Sequence, residues 1–481
     1  MDVFYWHLWI GPLLFCIHVL GLLAAAHAAL TTRTSQGAIA WAVSLIFMPY
    51  LALVPYLIFG YTRFAGYVEA RRLRNREFGK QAHILRESGA ARAEVEAELG
   101  SGLDGILTLT ALTGLPFTRG NEVRLLVNGA ATFDAIFAAI ATAKRYVIVQ
   151  FFAVSDDGLG RRLQAVLLAK AQAQVPVYFL YDGIGSHALP RHYTDTLRRA
   201  GVQVMEFLVR RRRLINRYQL NFRNHRKIVV VDGEQAFVGG HNVGDEYLGL
   251  RPPLSPWRDT HISIRGAAVA EIQLAFLKDW YWASGKVPAL HWQMHPAAGH
   301  QHCQVIPSGP ADEQETCTLF FIQAINSARQ RLWITTPYFV PDEAVFTALK
   351  LAVLRGVDVR VLLPSRPDHF LVYRATSLYA LEAARAGVRV YHYQPGFLHQ
   401  KVVLIDDLAA SVGSANLDNR SFRLNFEITV LTVDRGFAAD VTAMLEQDFR
   451  AARLVAPDAD RSVPLASEVL MRVARLFAPV L

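Results

Sequence analysis

Cysteine, acidic charge and metal-ligand spacing are what this chain has least of. Three cysteines, Cys16, Cys303 and Cys317, occur in 481 residues without a C-x-x-C pair. That excludes a disulfide framework and a cysteine zinc site, and it points to a reducing compartment for the body of the protein. Asp and Glu number 41 against 50 Lys and Arg, a net charge of +9. An excess of this sign favours an anionic partner: nucleic acid, phospholipid or another phosphate compound. Charge of either sign is missing altogether from Val3 to Thr32, and the hydrophobic fraction is 52% with a mean hydropathy of +0.20. The length allows about three domains at the usual ~100–200 residues each.

The uncharged stretch includes Leu8 to Leu30, long enough at ~1.5 Å per residue to cross a bilayer core of ~30 Å. A polar turn, Thr31 to Gly37, leads into a second uncharged run from about Ala38 to Gly60, with Trp41 near one end and Tyr56 and Tyr61 near the other. These features predict a two-helix transmembrane hairpin over residues 1–61, with helices at about 8–30 and 38–60 and aromatic residues at headgroup level. Arg63, Arg71, Arg72, Arg74, Arg76 and Lys80 follow it, against one Arg in the turn, so the body is expected on the cytoplasmic side and the turn outside. Residues 62–120 read as a charged helical connector, broken by Gly100-Ser101-Gly102.

The body carries a βαβ rhythm. Strand patterns at Val123–Val127, Tyr146–Phe152 and Val175–Tyr181 alternate with helical ones, which predicts an α/β fold with a largely parallel, buried sheet. Much of it occurs twice. Arg199-Ala200-Gly201-Val202 returns as Arg385-Ala386-Gly387-Val388, and Ala139–Ile148 is echoed by Ala324–Ile334. The expectation is an internal duplication: a first half at 121–285, a linker at 286–309, and a second half at 310–481 ending in an amphipathic segment that could pack on the body or lie on a membrane surface. Arg210 to Arg213, just before the most reactive-looking stretch, fall in an insertion of the first half and read as a lipid headgroup contact. His291, His295, His300, His302 and Cys303 match no tight zinc spacing and read as an exposed His-rich loop in the linker.

That reactive-looking stretch is His225-Arg226-Lys227, four apolar residues and Asp232, followed by Gly239-Gly240-His241-Asn242. It recurs as His399-Gln400-Lys401, four apolar residues and Asp406, followed by Gly413-Ser414-Ala415-Asn416. A His and a Lys two apart share one face of extended chain. If two halves pack about a pseudo-twofold axis, both strand ends meet in one electropositive pocket whose natural guest is a phosphodiester. Lys227 and Lys401 would neutralise its oxygens, supported by Asn242, Asn416, Ser414 and the close approach that Gly240 allows. One imidazole can attack phosphorus while the other serves as acid and base. Lysines supply the positive charge, so neither metal nor cofactor is expected.

Paired H-x-K-x-x-x-x-D motifs of this kind resemble the phospholipase D superfamily and, within it, the bacterial cardiolipin synthases. The likeness extends through Gly244–Gly249, Trp257–His261, Thr336–Asp342, Gly396–His399 and Asn416–Glu427. The resemblance implies two duplicated phospholipase D-like α/β/α halves and a phosphatidyltransferase of the bacterial inner membrane. It would convert two phosphatidylglycerol molecules to cardiolipin and glycerol through a phosphatidyl-histidine, with no nucleic-acid partner. His225 would be the nucleophile and His399 the acid/base. Asp245 and Glu427 would orient the imidazoles, and Asp232 and Asp406 would anchor structure. Alternatives are a phospholipase D-type hydrolase, a transferase with phosphatidylethanolamine as donor, and an idle membrane scaffold.

Overall fold

A computed structural model of the chain describes residues 6–60, 64, 67–68, 104–207, 221–292, 297–457 and 465–478. The Arg210 to Arg213 run, His295 and most of the predicted connector lie outside them. The described residues divide into two units, one within 1–70 and 209–222, the other within 71–208 and 223–481.

The first unit holds three apolar helices: α1 (Trp6–Thr31), α2 (Ser35–Phe47) and α3 (Pro49–Phe59). Within α1, Ile10–Thr31 is long and apolar enough to cross a membrane, whereas α2 and α3 are each shorter. The second uncharged run is therefore not the single helix expected over 38–60. Pro49 has no N–H to donate and disfavours helical backbone at the residue before it. Met48 accordingly leaves the helix at φ −136°, ψ 54°. The chain then doubles back. Tyr56 returns to Trp41, with ring centroids 5.2 Å apart, and its hydroxyl meets His27 Nδ1 at 2.6 Å. Trp41 and Tyr56, expected at opposite ends of one helix, thus sit together. Thr34 caps α2 by accepting from the Gly37 N–H, and Gly21 lets α1 and α2 approach, since a Cβ there would lie 2.5 Å from the Leu45 carbonyl.

The second unit is built on one mixed sheet, beside which stand two short two-stranded pairs. Its strands in the N-terminal part are β1 (Thr118–Val127), β2 (Val147–Phe151), β3 (Val177–Asp182), β4 (Gln203–Phe207), β5 (Arg223–Asn224), β6 (Ile228–Val231), β7 (Gln235–Gly239), β8 (Trp257–Arg258) and β9 (Thr260–Arg265). The C-terminal part supplies β10 (Gln301–Ser308), β11 (Arg331–Thr335), β12 (Phe339–Val340), β13 (Asp358–Pro364), β14 (Arg389–Tyr393) and β15 (Phe397–Leu398). After these come β16 (Val402–Ile405), β17 (Ala409–Gly413), β18 (Leu417–Asp418), β19 (Asn425–Val433) and β20 (Ala452–Leu454).

From the central β1/β10 pair one arm runs β9-β7-β6-β2-β3-β4 and the other β19-β17-β16-β11-β13-β14-β20. Only β2-β3-β4 and β11-β13-β14 are parallel; the remaining pairs of the path are antiparallel, so the expectation of a largely parallel sheet fails. The reason is local. Asp232 and Asp406 take left-handed backbone (φ 57° and 51°) and turn β6 into β7 and β16 into β17 as tight hairpins, which must be antiparallel.

Two apolar cores flank the sheet. One gathers Phe133, Ile140, Leu163, Phe179 and Phe237; the other gathers Phe320, Ile325, Leu349, Val361 and Leu417. Leu109, on the helix Asp104–Thr113, joins the second core, so this end of the predicted connector belongs to the body. The expected linker is corrected as well. Residues 301–308 form β10 in the middle of the sheet, with His302 and Cys303 buried opposite Val433 and Thr432. The His-rich stretch is thus half central strand, in keeping with the apolar Val305-Ile306 that follows. The helix Leu465–Leu476 packs Met471 and Ala474 against Leu378, Leu381 and Ala375.

Candidate active site

His225-Arg226-Lys227 and His399-Gln400-Lys401 precede β6 and β16 rather than lying in them. Extended chain still sends alternate residues to opposite sides. Arg226 turns inward, pairing with Asp279 at 2.9 Å and donating to the carbonyls of Glu427 and Ser308. Gln400 turns inward to Asp448 at 2.7 Å, and Asp448 also takes both arms of Arg258 at 2.8 Å. With the middle residues pinned, each His and Lys is presented on the other side.

Each histidine is then held by the other part of the chain. The His225 N–H donates to the Phe426 carbonyl at 2.9 Å, and the His399 N–H to the Arg258 carbonyl at 2.8 Å. The next residue on each strand is an acid. Glu427 receives His225 Nδ1 at 3.0 Å, and Asp259 receives His399 Nδ1 at 2.8 Å. A carboxylate at Nδ1 makes that nitrogen the protonated one and leaves Nε2 with its lone pair. Lys227 and Lys401 donate to the carbonyls of their own histidines at 2.6 and 2.5 Å, and Lys401 Nζ also lies 2.8 Å from His399 Nδ1.

All four basic groups are buried, and burial disfavours their charged forms. It drives His225 down to about 4 against the pull of Glu427, and His399 well below the usual imidazole range with help from Lys401 and Lys227. Lys401 is brought down to about 8, and Lys227 well below its ordinary value, each again chiefly by burial. Burial also raises Glu427, but His225, Lys227 and the Ser414 hydroxyl outweigh it and hold this carboxylate ionised. The resting site is two neutral imidazoles backed by carboxylates, beside two lysines whose charge an anion would stabilise.

The other expected residues fall into place differently. Asp232 accepts from the backbone N–H groups of Lys144, Arg145 and Tyr146, and Asp406 from those of Arg329, Gln330 and Arg331. Both stand at the far end of a four-residue strand from the histidines and tie a turn to its neighbour. Asp245 does not orient an imidazole: its carboxylate accepts from the Gly158 and Leu159 N–H groups at a helix start, and the acid at His399 is Asp259. Gly240 serves that acid rather than a ligand, because a Cβ there would lie 2.0 Å from Asp259 Oδ1. Ser414 donates to Glu427 at 2.5 Å, and Asn242 is taken up by Tyr247 and the Ala153 N–H. Asn416 donates to Asp418, while its buried Oδ1 has no hydrogen-bond partner among the described residues.

Asp259 carries only a weak sequence signal, as an acid that follows the first motif as Glu427 follows the second, and the strand pairing settles it. Gly240 bonds its N–H to the carbonyl of Thr260 and Ser414 to that of Ile428, so the residues before those two, Asp259 and Glu427, are equivalent. Asp279 and Asp448 carried no such signal. Among the described residues no three His, Cys, Asp or Glu side chains gather as a metal site.

Residues 321–449 match the family described as "Cardiolipin synthase, PLD-like domain". The chain is 58% identical over 473 residues to cardiolipin synthase A of Pseudomonas aeruginosa, covering 98% of this chain and 96% of the relative. It is 56% identical over 482 residues to cardiolipin synthase A of Pseudomonas fluorescens, covering both in full. Among solved structures, phosphatidylserine synthase of Haemophilus influenzae has the same fold, with a TM-score of 0.57 at 15% identity over 75% of this chain and 95% of that one.

Proposed function

The chain belongs to the bacterial cardiolipin synthases of the phospholipase D superfamily and is a phosphatidyltransferase that makes cardiolipin, and we propose that it does so by two displacements at one phosphorus between His225 and His399. The observation that carries this reading is the reciprocal pairing of each histidine with a carboxylate from the other repeat. Such an arrangement needs both repeats in one site, and it supports a duplicated fold: a first half from β1 to the helix Ala268–Ser284 and a second from β10 onward.

In the first step the Nε2 of one histidine attacks the phosphorus of phosphatidylglycerol and the P–O bond to the glycerol headgroup breaks. The other histidine gives its proton to the departing oxygen. In the second step a glycerol hydroxyl of another phosphatidylglycerol loses its proton to that same histidine as its oxygen attacks phosphorus. The P–N bond breaks, and cardiolipin and the free imidazole result. Lys227 and Lys401 balance the non-bridging oxygens throughout. The bound anion in turn raises the pKa of the histidine that must act as acid, which burial alone keeps neutral.

The apolar unit supports residence in the bacterial inner membrane. The basic residues from Arg63 to Lys80 favour a body on the cytoplasmic side. With the fold at Met48, one crossing by Ile10–Thr31 and a re-entrant α2–α3 pair replace the two crossings.

Purified protein given phosphatidylglycerol in detergent should yield cardiolipin and glycerol in equal amounts. Phosphatidic acid as the main product would make it a hydrolase instead, and the same assay with phosphatidylethanolamine tests that donor.

A further inference from the structure

Residues 465–478 carry more apolar surface than the body covers. The helix Leu465–Leu476, with Phe477 and Ala478 after it, turns Met471, Ala474 and Ala478 inward. Met471 packs with Leu378 and Leu381, and the two alanines join Ala375 and Val340. A second apolar set, Val469, Val473, Leu476 and Phe477, recurs at i, i+4, i+7, i+8 and so forms a face of its own. It is open: these four residues are 52%, 43%, 77% and 48% exposed in turn. Glu468, Arg472 and Arg475 fill one seam between the two faces, and Leu470 fills the other. Isolated apolar residues at a surface are ordinary, but four aligned on one helix mark a contact.

The stripe belongs to the end of the sheet that holds the site. Thr335, the last residue of β11, is in register with Val402, which follows Lys401. The chain leaving β11 at that end becomes β12, and Val340 of β12 is the residue that shares a cluster with Ala474 and Ala478. The chain leaving β13 at the same end enters the helix Phe370–Arg385, whose first residue, Phe370, is 56% exposed. Arg374 lies over the Phe370 ring at 5.0 Å and donates to Ser467 at 3.2 Å, which ties Phe370 to the start of the striped helix. Arg472 and Arg475 are exposed beside the stripe, paired with Glu468 at 2.8 Å and Glu382 at 2.7 Å, so three arginines stand against two glutamates.

We propose that this stripe, with Phe370, is an interfacial contact of the catalytic body with an anionic bilayer. The four apolar side chains enter the boundary between headgroups and acyl chains, and Arg374, Arg472 and Arg475 lay their stems along them with the guanidinium groups at headgroup level. The contact turns the site toward the lipid it consumes. It goes beyond the assignment as a cardiolipin synthase and rests on it for the occupant alone. Substrate and product are bilayer lipids, so the end of the sheet that holds the site must meet a bilayer, whereas a second copy of the chain has no reason to sit there.

The test places a fluorescent label on the stripe of the full chain. Cys16→Ser with Val473→Cys leaves one accessible thiol, because Cys303 and Cys317 are buried. Leu354→Cys in the same background is the control, at an exposed apolar residue far along the helix Glu343–Leu354. In vesicles of phosphatidylglycerol and phosphatidylethanolamine, lipids brominated high on the acyl chain should quench the label at position 473 and not at 354, and aqueous iodide should do the reverse. Equal quenching by iodide at both positions would overturn the contact. Protection from iodide at 473 without quenching by brominated lipid would overturn it too, in favour of a second copy of the chain. Activity gives a separate readout. Val473→Asp with Leu476→Asp should lower cardiolipin formation from vesicles roughly fivefold or more, while turnover of dispersed dihexanoyl phosphatidylglycerol stays near that of the unsubstituted protein. Equal losses on the two substrates, or none, would count against it. An unsubstituted protein that makes no cardiolipin from either substrate would sink the underlying function instead, and the quenching result would decide the contact by itself.

Discussion

Asp259 and Glu427 fix which nitrogen of each imidazole is free, so their amides should be more damaging than their modest chemistry suggests. Asp259→Asn can hold His399 in the wrong tautomer, and kcat should fall roughly a hundred- to ten-thousandfold with the fold intact. Gly240→Ala should resemble it, because the added methyl reaches Asp259. Normal turnover in Gly240→Ala would mean the carboxylate has slack that the geometry denies. A second expectation concerns pH. The pKa of Lys401 is depressed to about 8, so its charge is present below that pH and lost as pH rises through it. Activity on the anionic substrate should therefore decline above about 8, and Lys401→Arg, if active at all, should keep its activity to higher pH. Parallel alkaline limbs for the two proteins would assign the decline elsewhere. At this scale the sequence was a good guide to the reactive groups, since two matched H-x-K-x-x-x-x-D stretches leave few other readings. It was a poor guide to their supports. The family resemblance implies Asp245 as an orienting acid, yet a place soon after the motif does not say which residue a strand pair brings opposite. Asp259 gains its place only from the pairing of β8 with β15.

At the scale of elements, the inward-facing residues of the two motifs carry the hairpins. Arg226 and Asp279 form a buried pair, and removing one partner leaves the other charged in the core. Arg226→Met should cost roughly 3–5 kcal/mol in denaturant unfolding, and adding Asp279→Leu should recover most of it. A double variant as unstable as the single would show that the carbonyl contacts of Arg226, not the pair, matter most. The apolar helices show where hydropathy stops being informative. A charge-free run of the right length reads as one span, but Pro49 breaks it, and tertiary contacts such as Trp41–Tyr56 reveal the return. In a Cys16→Ser background, Arg33→Cys should be labelled from the same side of the membrane as the body if α2–α3 is re-entrant. Labelling from the opposite side would restore two crossings.

For the whole molecule, the mirrored strand order about β1 and β10 explains why the repeats alone do not locate the boundary. β10 is a strand whose polar ends, Gln301-His302 and Ser308, resemble a linker. Burial of β10 between β1 and β19 is a tertiary fact that no local pattern carries. The pairing of β5 with β19 and of β8 with β15 supplies each histidine with its carboxylate, and with it the claim that phosphatidyl transfer proceeds by two in-line displacements through a phosphatidyl-histidine. The stereochemical course at phosphorus tests that most directly. Phosphatidylglycerol made chiral at the phosphorus of its phosphodiester, as a single phosphorothioate diastereomer, is converted to cardiolipin and the configuration of the transferred phosphorus is determined. Two inversions give net retention, the predicted result; net inversion would mean a single direct displacement and would contradict the covalent intermediate.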